Sequence, residues 1–269
     1  DYGTPKIESD NNVTGYVDGI EITVPEGTSI MRAAAMVGID IPSLCASDNI
    51  DAFGSCRLCI VDFEGRKGFG YPSSCTTPLS KGMKVKTKNA HLKSLRKDLL
   101  EMYISDHPLD CNTCSADGDC DLQTQADDHN LLNNNQLVAS KYDFKDGCTH
   151  LDAEVDASNP YFNFDPEKCI VCSKCVRACN EVQGTFALSV DSRGFESTIK
   201  PGVSDNFFDS ECVSCGACVQ ACPTGSLIEK SIAKKGMPNE TVLTTCANCG
   251  VGCSFKAEIR NNHVGRMVP

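Results

Sequence analysis

Two stretches of this chain set four thiols close together. Cys169, Cys172, Cys175 and Cys179 are separated by two, two and three residues; Cys212, Cys215, Cys218 and Cys222 repeat that spacing, and Pro223 follows. Three closely set thiolates can hold three corners of a [4Fe–4S] cube, and the fourth ligand must come from elsewhere in the fold. Zinc and disulfides are the competing uses of cysteine. Structural zinc sites pair C-x-x-C elements, whereas disulfide scaffolds are far shorter chains with dispersed cysteines. Nineteen cysteines bunched within 269 residues favour metal binding in a reducing, cytoplasmic compartment.

Composition narrows the field of partners. A net charge of −11 argues against nucleic acid, because phosphate binding needs clustered Lys and Arg. No stretch has the apolar length needed to cross a bilayer, and no basic-then-apolar signal segment is present. Each oxidised all-cysteine cluster adds about two negative charges, so backbone N–H groups must offset buried charge around it. Gly216 and Gly225 are placed to let the backbone approach sulfur closely.

The repeated run has the ligand spacing of a two-cluster bacterial ferredoxin, in which each run gives its fourth thiolate to the other cube. That pattern puts one cluster on Cys169, Cys172, Cys175 and Cys222, and the second on Cys212, Cys215, Cys218 and Cys179. Upstream, Cys45, Cys56, Cys59 and Cys75 are spaced by ten, two and fifteen residues. Plant-type ferredoxins have four residues in the first gap, so the simple template does not fit. The element Gly54-Ser55-Cys56-Arg57-Leu58-Cys59 instead resembles the [2Fe–2S] domain of the large peripheral subunit of respiratory complex I and of iron-only hydrogenases. Zinc on the same four thiols is the simpler alternative. His107, Cys111, Cys114 and Cys120 follow; three thiolates leave one iron of a cube without a ligand, and a neutral imidazole can fill the place. This spacing is similar to the His-ligated [4Fe–4S] cluster of the same two families. His91, His129, His150 and His263 have no such company and read as ordinary histidines.

Positioning these ligands requires an α+β chain of several small units. Residues 1–12 are polar and read as a tail. Tyr16 to Val24 alternates about Asp18-Gly19, a hairpin signal, and Thr28 is placed to cap a helix with Ile30, Ala33, Ala34 and Val37 on one face, ended by Gly38. Hairpin then helix is how a β-grasp ferredoxin begins, giving a [2Fe–2S] domain over 13–90. Asn89 can cap a helix with Leu92, Leu95, Leu99 and Tyr103 on its face, opening a His-ligated [4Fe–4S] domain and loop-rich connector over 91–160. Cys148 stands alone there and reads as a buried structural thiol. The two-cluster ferredoxin domain spans 161–235; its residues 184–208 read as short strands whose aromatics, Phe186, Phe195, Phe207 and Phe208, are core.

Lys234 to Pro238 reads as a linker into 236–269, where Cys246, Cys249 and Cys253 form CxxCGVGC, followed by a strand from Phe255 to Ile259 and a turn at Asn261-Asn262. No cysteine follows, so a three-ligand site, a three-iron cluster and a fourth ligand beyond residue 269 all remain open. The strand pattern closes no domain, which reads as part of a longer polypeptide. CxxCGVGC resembles the start of the molybdopterin-type domain of the formate dehydrogenase and nitrate reductase superfamily. The whole order of motifs is similar to the catalytic subunit of cytosolic NAD-dependent formate dehydrogenases. That resemblance implies one [2Fe–2S] and four [4Fe–4S] clusters, the last incomplete here, with no catalytic residue on this stretch. It also implies a Mo- or W-bis-pterin guanine dinucleotide in a missing domain. The implied partners are a diaphorase-type subunit binding FMN and NAD and a small [2Fe–2S] subunit. Two rivals stand beside it: an electron-transfer or hydrogenase-type subunit complete at this length, and a zinc-rich scaffold.

Overall fold

The computed structural model describes residues 2–64, 70–142 and 153–268; Cys148 and His150 lie outside them. β1 (Asn12–Val17) and β2 (Ile20–Pro25) pair antiparallel about Asp18 and Gly19, whose φ angles of 47° and 86° are those of a two-residue hairpin turn. α1 (Ile30–Met36) is capped by Ser29, whose hydroxyl accepts from the Arg32 N–H. This corrects the expected Thr28 cap by one residue: Thr28 donates its hydroxyl to the Pro25 carbonyl instead. β3 (Asp62–Phe63) and β4 (Lys84–Lys86) complete a sheet of order β2-β1-β4-β3, with β1 and β4 parallel. Val17, Val24, Ile30, Ala33, Ala34 and Val85 form one core between sheet and helix. This is the expected β-grasp order. The first residues are not a free tail where described. Thr4 is buried with its hydroxyl 2.7 Å from that of Ser29, and Arg32 donates to the Thr4 carbonyl while lying over the Tyr2 ring.

α2 (Ala90–Ser105) begins at Asn89, whose side chain accepts from the Leu92 N–H at 2.7 Å. Asn89→Ala should cost about 1 kcal/mol, read as a lower midpoint in chemical denaturation. The buried face is Leu92, Arg96, Leu100, Glu101 and Ile104; Leu95, Leu99 and Tyr103 sit at its edge. The expected stripe is rotated because Arg96 is drawn inward. Its guanidinium donates to the Leu58 and Ile60 carbonyls (3.0 and 2.7 Å), which an irregular loop would otherwise leave unpaired.

The expected loop-rich connector carries regular structure. α3 (Asp121–Asp128) is followed by a hairpin of β5 (Leu132–Asn133) and β6 (Gln136–Leu137), turned by Asn134 and Asn135 at φ of 49° and 63°. His129, expected to be ordinary, is buried at the end of α3 with Nδ1 2.9 Å from the Gln125 carbonyl.

Next come β7 (Phe162–Phe164), α4 (Lys174–Arg177), a π-helical segment (Ala178–Gln183), β8 (Ser189–Asp191) and β9 (Thr198–Lys200). α5 (Ala217–Ala221), β10 (Leu227–Glu229) and α6 (Lys230–Lys235) complete this unit. β7 pairs with β10 and β8 with β9, around a core of Phe162, Phe164, Leu188, Ile199, Phe207 and Leu227. Phe186, Phe195 and Phe208 are exposed, so only Phe207 of the four expected aromatics is core. Lys234 and Lys235 form the last helical turn rather than a linker, and Gly236 ends it at φ 78°.

Three antiparallel strands, β11 (Glu240–Thr245), β12 (Ser254–Arg260) and β13 (His263–Val268), finish the chain, with the turn at Asn261-Asn262 as expected. Arg266 pairs with Glu258 across this sheet and ties the sheet to Asp119, both at 2.6 Å. Among the described residues, no helix is long and apolar enough to cross a membrane.

Candidate iron–sulfur sites

The first four thiols converge in the loops beside the β-grasp sheet. Cys45, Cys56, Cys59 and Cys75 are all buried; the Cys59 and Cys75 sulfurs are 3.4 Å apart. The Leu44 N–H donates to Cys56 Sγ at 3.3 Å and the Cys56 N–H to Cys45 Sγ at 3.4 Å. Hydrogen bonds from Cys56 and then Cys75 hold Cys45 well below the usual thiol range, and the same bonds push both donors up. Cys59 is pushed down to about 7 by its hydrogen bond from Cys75.

His107, Cys111, Cys114 and Cys120 line one small cavity. Cys111 opens a single 3-10 turn after α2, and Cys120 caps α3, so the two helices bracket the set. Burial pushes His107 down to about 4, so its imidazole is neutral, and its buried Nδ1 has no hydrogen-bond partner. Burial likewise pushes Cys120 up to about 12. Gly225 closes the cavity from the ferredoxin unit. A Cβ there would lie 3.1 Å from Cys114 Sγ and 3.1 Å from Ala116 Cβ, which is the close approach expected of this glycine. Gly225→Ala should therefore destabilise by about 1–3 kcal/mol through overpacking, checked by thermal unfolding with iron retention followed in parallel.

The two ferredoxin runs wrap alike. Val171 and Ser214 have φ of 50° and 54°, and Ser173 and Gly216 have φ of 60° and 80°. These left-handed residues turn N–H groups inward: Val171 donates to Cys169 Sγ and Ser214 to Cys212 Sγ, each at 3.4 Å. Left-handed Val is costly and persists only where surroundings demand it. Gly216 contributes through this φ and not through close approach, since a Cβ there would meet nothing within 4 Å. Cys179, Cys212, Cys215 and Cys218 line one small cavity. Burial, then the charges of Cys222 and its neighbours, pushes Cys169 and Cys172 up, to about 11 and 12. Cys175 is raised by burial and then by Cys172, Cys222 and Cys169. Cys179 thus lies with the second run's first three, and the charge of Cys222 acts on the first run's three. Among the described residues no three His, Cys, Asp or Glu side chains are spaced for a single metal ion.

The sets are contiguous. Leu44, Cys45, Cys56, Leu100, Cys111 and Cys172 belong to one hydrophobic core, with Tyr103 packed against it. Tyr103 is raised by burial and then by the charges of Cys56, Cys45 and Cys172, which places it among three ligand loops. Pro223, next to Cys222, accepts from the Asp121 N–H at 2.9 Å and has Cys120 Sγ 3.7 Å from its carbonyl. The Cys169 set therefore neighbours both the Cys45 and the His107 sets. Buried Asn159 reaches Ser214 Oγ at 2.9 Å and Cys212 Sγ at 3.9 Å; the sequence placed it only within the loop-rich connector. Cys246, Cys249 and Cys253 occupy the β11–β12 loop, closed by the Cys246 N–H to the Cys253 carbonyl at 2.8 Å. Cys249 and Cys253 are exposed, and the structure brings no fourth ligand to them among the described residues.

Comparison with known proteins agrees with this geometry. Residues 10–90 match a 2Fe-2S iron–sulfur cluster binding domain, residues 96–134 the NADH-ubiquinone oxidoreductase-G iron–sulfur binding region, and residues 168–226 a 4Fe-4S dicluster domain. One chain of the crystal structure of an NAD+-reducing [NiFe]-hydrogenase in the H2-reduced state is 32% identical, with a TM-score of 0.70; the match covers 81% of this chain and 87% of that one. The chain belongs to the NADH-quinone oxidoreductase G and NAD-reducing hydrogenase family of iron–sulfur subunits. Within that family it is 37% identical to the NADPH-Fe(3+) oxidoreductase subunit alpha of Geobacter sulfurreducens, over 93% of this chain and 28% of that protein. It is 38% identical to the NADP-reducing hydrogenase subunit HndD of Solidesulfovibrio fructosivorans, over 81% of this chain and 36% of that protein. The chain therefore spans roughly a third of the length of these iron–sulfur relatives. The family takes in hydrogenase and NADPH-linked relatives.

Proposed function

We propose that this chain is the multi-cluster electron relay of a formate dehydrogenase. The single observation that carries the relay is the shared core: Cys45, Cys56, Cys111 and Cys172, from three ligand sets, pack into one water-excluding cluster of side chains. In this reading Cys45, Cys56, Cys59 and Cys75 hold a [2Fe–2S] group, and His107, Cys111, Cys114 and Cys120 hold a [4Fe–4S] group. Two further cubes take the crossed ferredoxin sets. The residues fit these groups: inward N–H donors face four of the candidate sulfurs at 3.3–3.4 Å, a buried imidazole nitrogen lacks a partner, and Gly225 leaves room beside Cys114. Bound clusters supply one-electron redox chemistry. The chain's own contribution is to fix ligand positions, aim N–H dipoles at thiolates, and keep water out, which together set potential.

Cys246, Cys249 and Cys253 carry the formate assignment, as the start of a molybdopterin-type domain. Mo- or W-bis-pterin, and FMN and NAD on a diaphorase-type partner, belong to this proposal. The likeness to named hydrogenase and NADPH-linked relatives favours a second reading, a relay of a hydrogenase-type complex. The native complex, purified anaerobically, separates them. Formate-dependent bleaching of the visible iron–sulfur absorption, with Mo or W and pterin present, supports the first. Bleaching by H2 or NADPH alone, without Mo or W, supports the second.

A further inference from the structure

Ten residues separate Cys45 from Cys56, where a plant-type ferredoxin has four. The ferredoxin unit grips this longer loop. Arg177, between Cys175 and Cys179, donates through Nη2 to the Cys45 carbonyl and through Nη1 to the Asp51 carbonyl, both at 2.5 Å. Its guanidinium also lies 5.6 Å from the centre of the Phe53 ring. Glu181, four residues on, accepts from the Asp51 N–H at 2.6 Å. At the far end of the loop Ser55 donates its hydroxyl to the Cys172 carbonyl at 3.0 Å. Arg177 is only 8% exposed, and its Nε is buried without a partner. A buried guanidinium is costly, and among the described residues no carboxylate forms an ion pair with it; its hydrogen bonds go to the loop's carbonyls.

We propose that residues 46–55 form an intramolecular docking loop, and that Arg177 is a positioning residue holding the [2Fe–2S] ligands against the cube on the Cys169 set. Resting on the relay reading above, it adds a purpose for the long gap. The arginine places a fixed positive charge on the carbonyl of a cluster ligand, and the loop fixes how far the two groups stand apart.

The test uses the full-length protein, loaded anaerobically, with Arg177→Met, Arg177→Lys and Ser55→Ala variants. Iron content, the midpoint potential of the [2Fe–2S] electron paramagnetic resonance signal, and its power saturation beside a reduced neighbour are measured. Arg177→Met should keep the iron and the signal. Its reduction equilibrium should fall roughly tenfold, the scale of one charge-assisted hydrogen bond; for one electron that is about 59 mV lower. Its signal should saturate at lower power as the neighbour moves away, and Arg177→Lys should restore the potential. Potential and saturation both within about twofold of wild type would overturn the docking role. If Arg177→Met fails to load, Ser55→Ala decides: unchanged saturation counts against docking, and easier saturation with full iron supports it. Absence of any [2Fe–2S] signal in wild type would sink the relay reading itself, a result distinct from these.

Discussion

Cys179→Ala should remove about four iron atoms per chain, and the lost group should be the one on the second run, not the first. Cys179 sits in the first run by sequence, yet it lines the cavity of Cys212, Cys215 and Cys218. Its Sγ also accepts from the Ala187 N–H at 3.3 Å, a contact that orients it into that cavity. Cys222→Ala should do the reverse and empty the Cys169 set, because the charge of Cys222 acts on Cys169, Cys172 and Cys175. Iron analysis with Mössbauer or paramagnetic resonance of each variant checks the pairing. Cys179 and Cys218 are buried beside Phe162 and Phe207, so an emptied site also leaves a void in the core. A cost of several kcal/mol is expected, on the scale of large-to-small core substitutions.

His107→Cys should lower the potential of its cluster by on the order of 100 mV, since a thiolate adds a negative charge where a neutral imidazole stood. An unchanged potential and spectrum would remove His107 from the ligand set. The sign of its pH dependence follows from burial. An ordinary histidine takes up a proton near pH 6.5, but His107 is pushed down to about 4 and stays neutral well below that. Iron retention at this site should hold from pH 8 to near pH 5 and decline as pH falls through about 4.

The candidate ligands were legible because cluster chemistry writes itself into spacing. Repeated C-x-x-C-x-x-C runs fix local geometry with few alternatives, and the three thiols after His107 turn an unremarkable residue into a candidate. The Asp18-Gly19 hairpin was equally local. What stayed hidden depends on contacts between units distant in sequence. Arg96 rotates α2 by reaching loop carbonyls 38 and 36 residues away. Arg177 meets the Cys45 loop across 132 residues, and Asn159 reaches Cys212 across 53. Nothing in a run of cysteines announces which arginine between them turns outward to hold a neighbouring domain. The exposed Phe186, Phe195 and Phe208 show the same limit from the other side: they lie in the connections around β8 and β9, where alternation does not report burial.

The central claim is that four complete ligand sets, three of them meeting in one core, hold four clusters, with a fifth on Cys246, Cys249 and Cys253. Iron, zinc and acid-labile sulfide measured on the anaerobically purified full-length protein test it most directly. The account predicts about 14 iron atoms and matching sulfide from the four complete sets, rising to about 18 with the fifth. Zinc bound without sulfide, or iron near the two atoms of a lone [2Fe–2S] group, would contradict it.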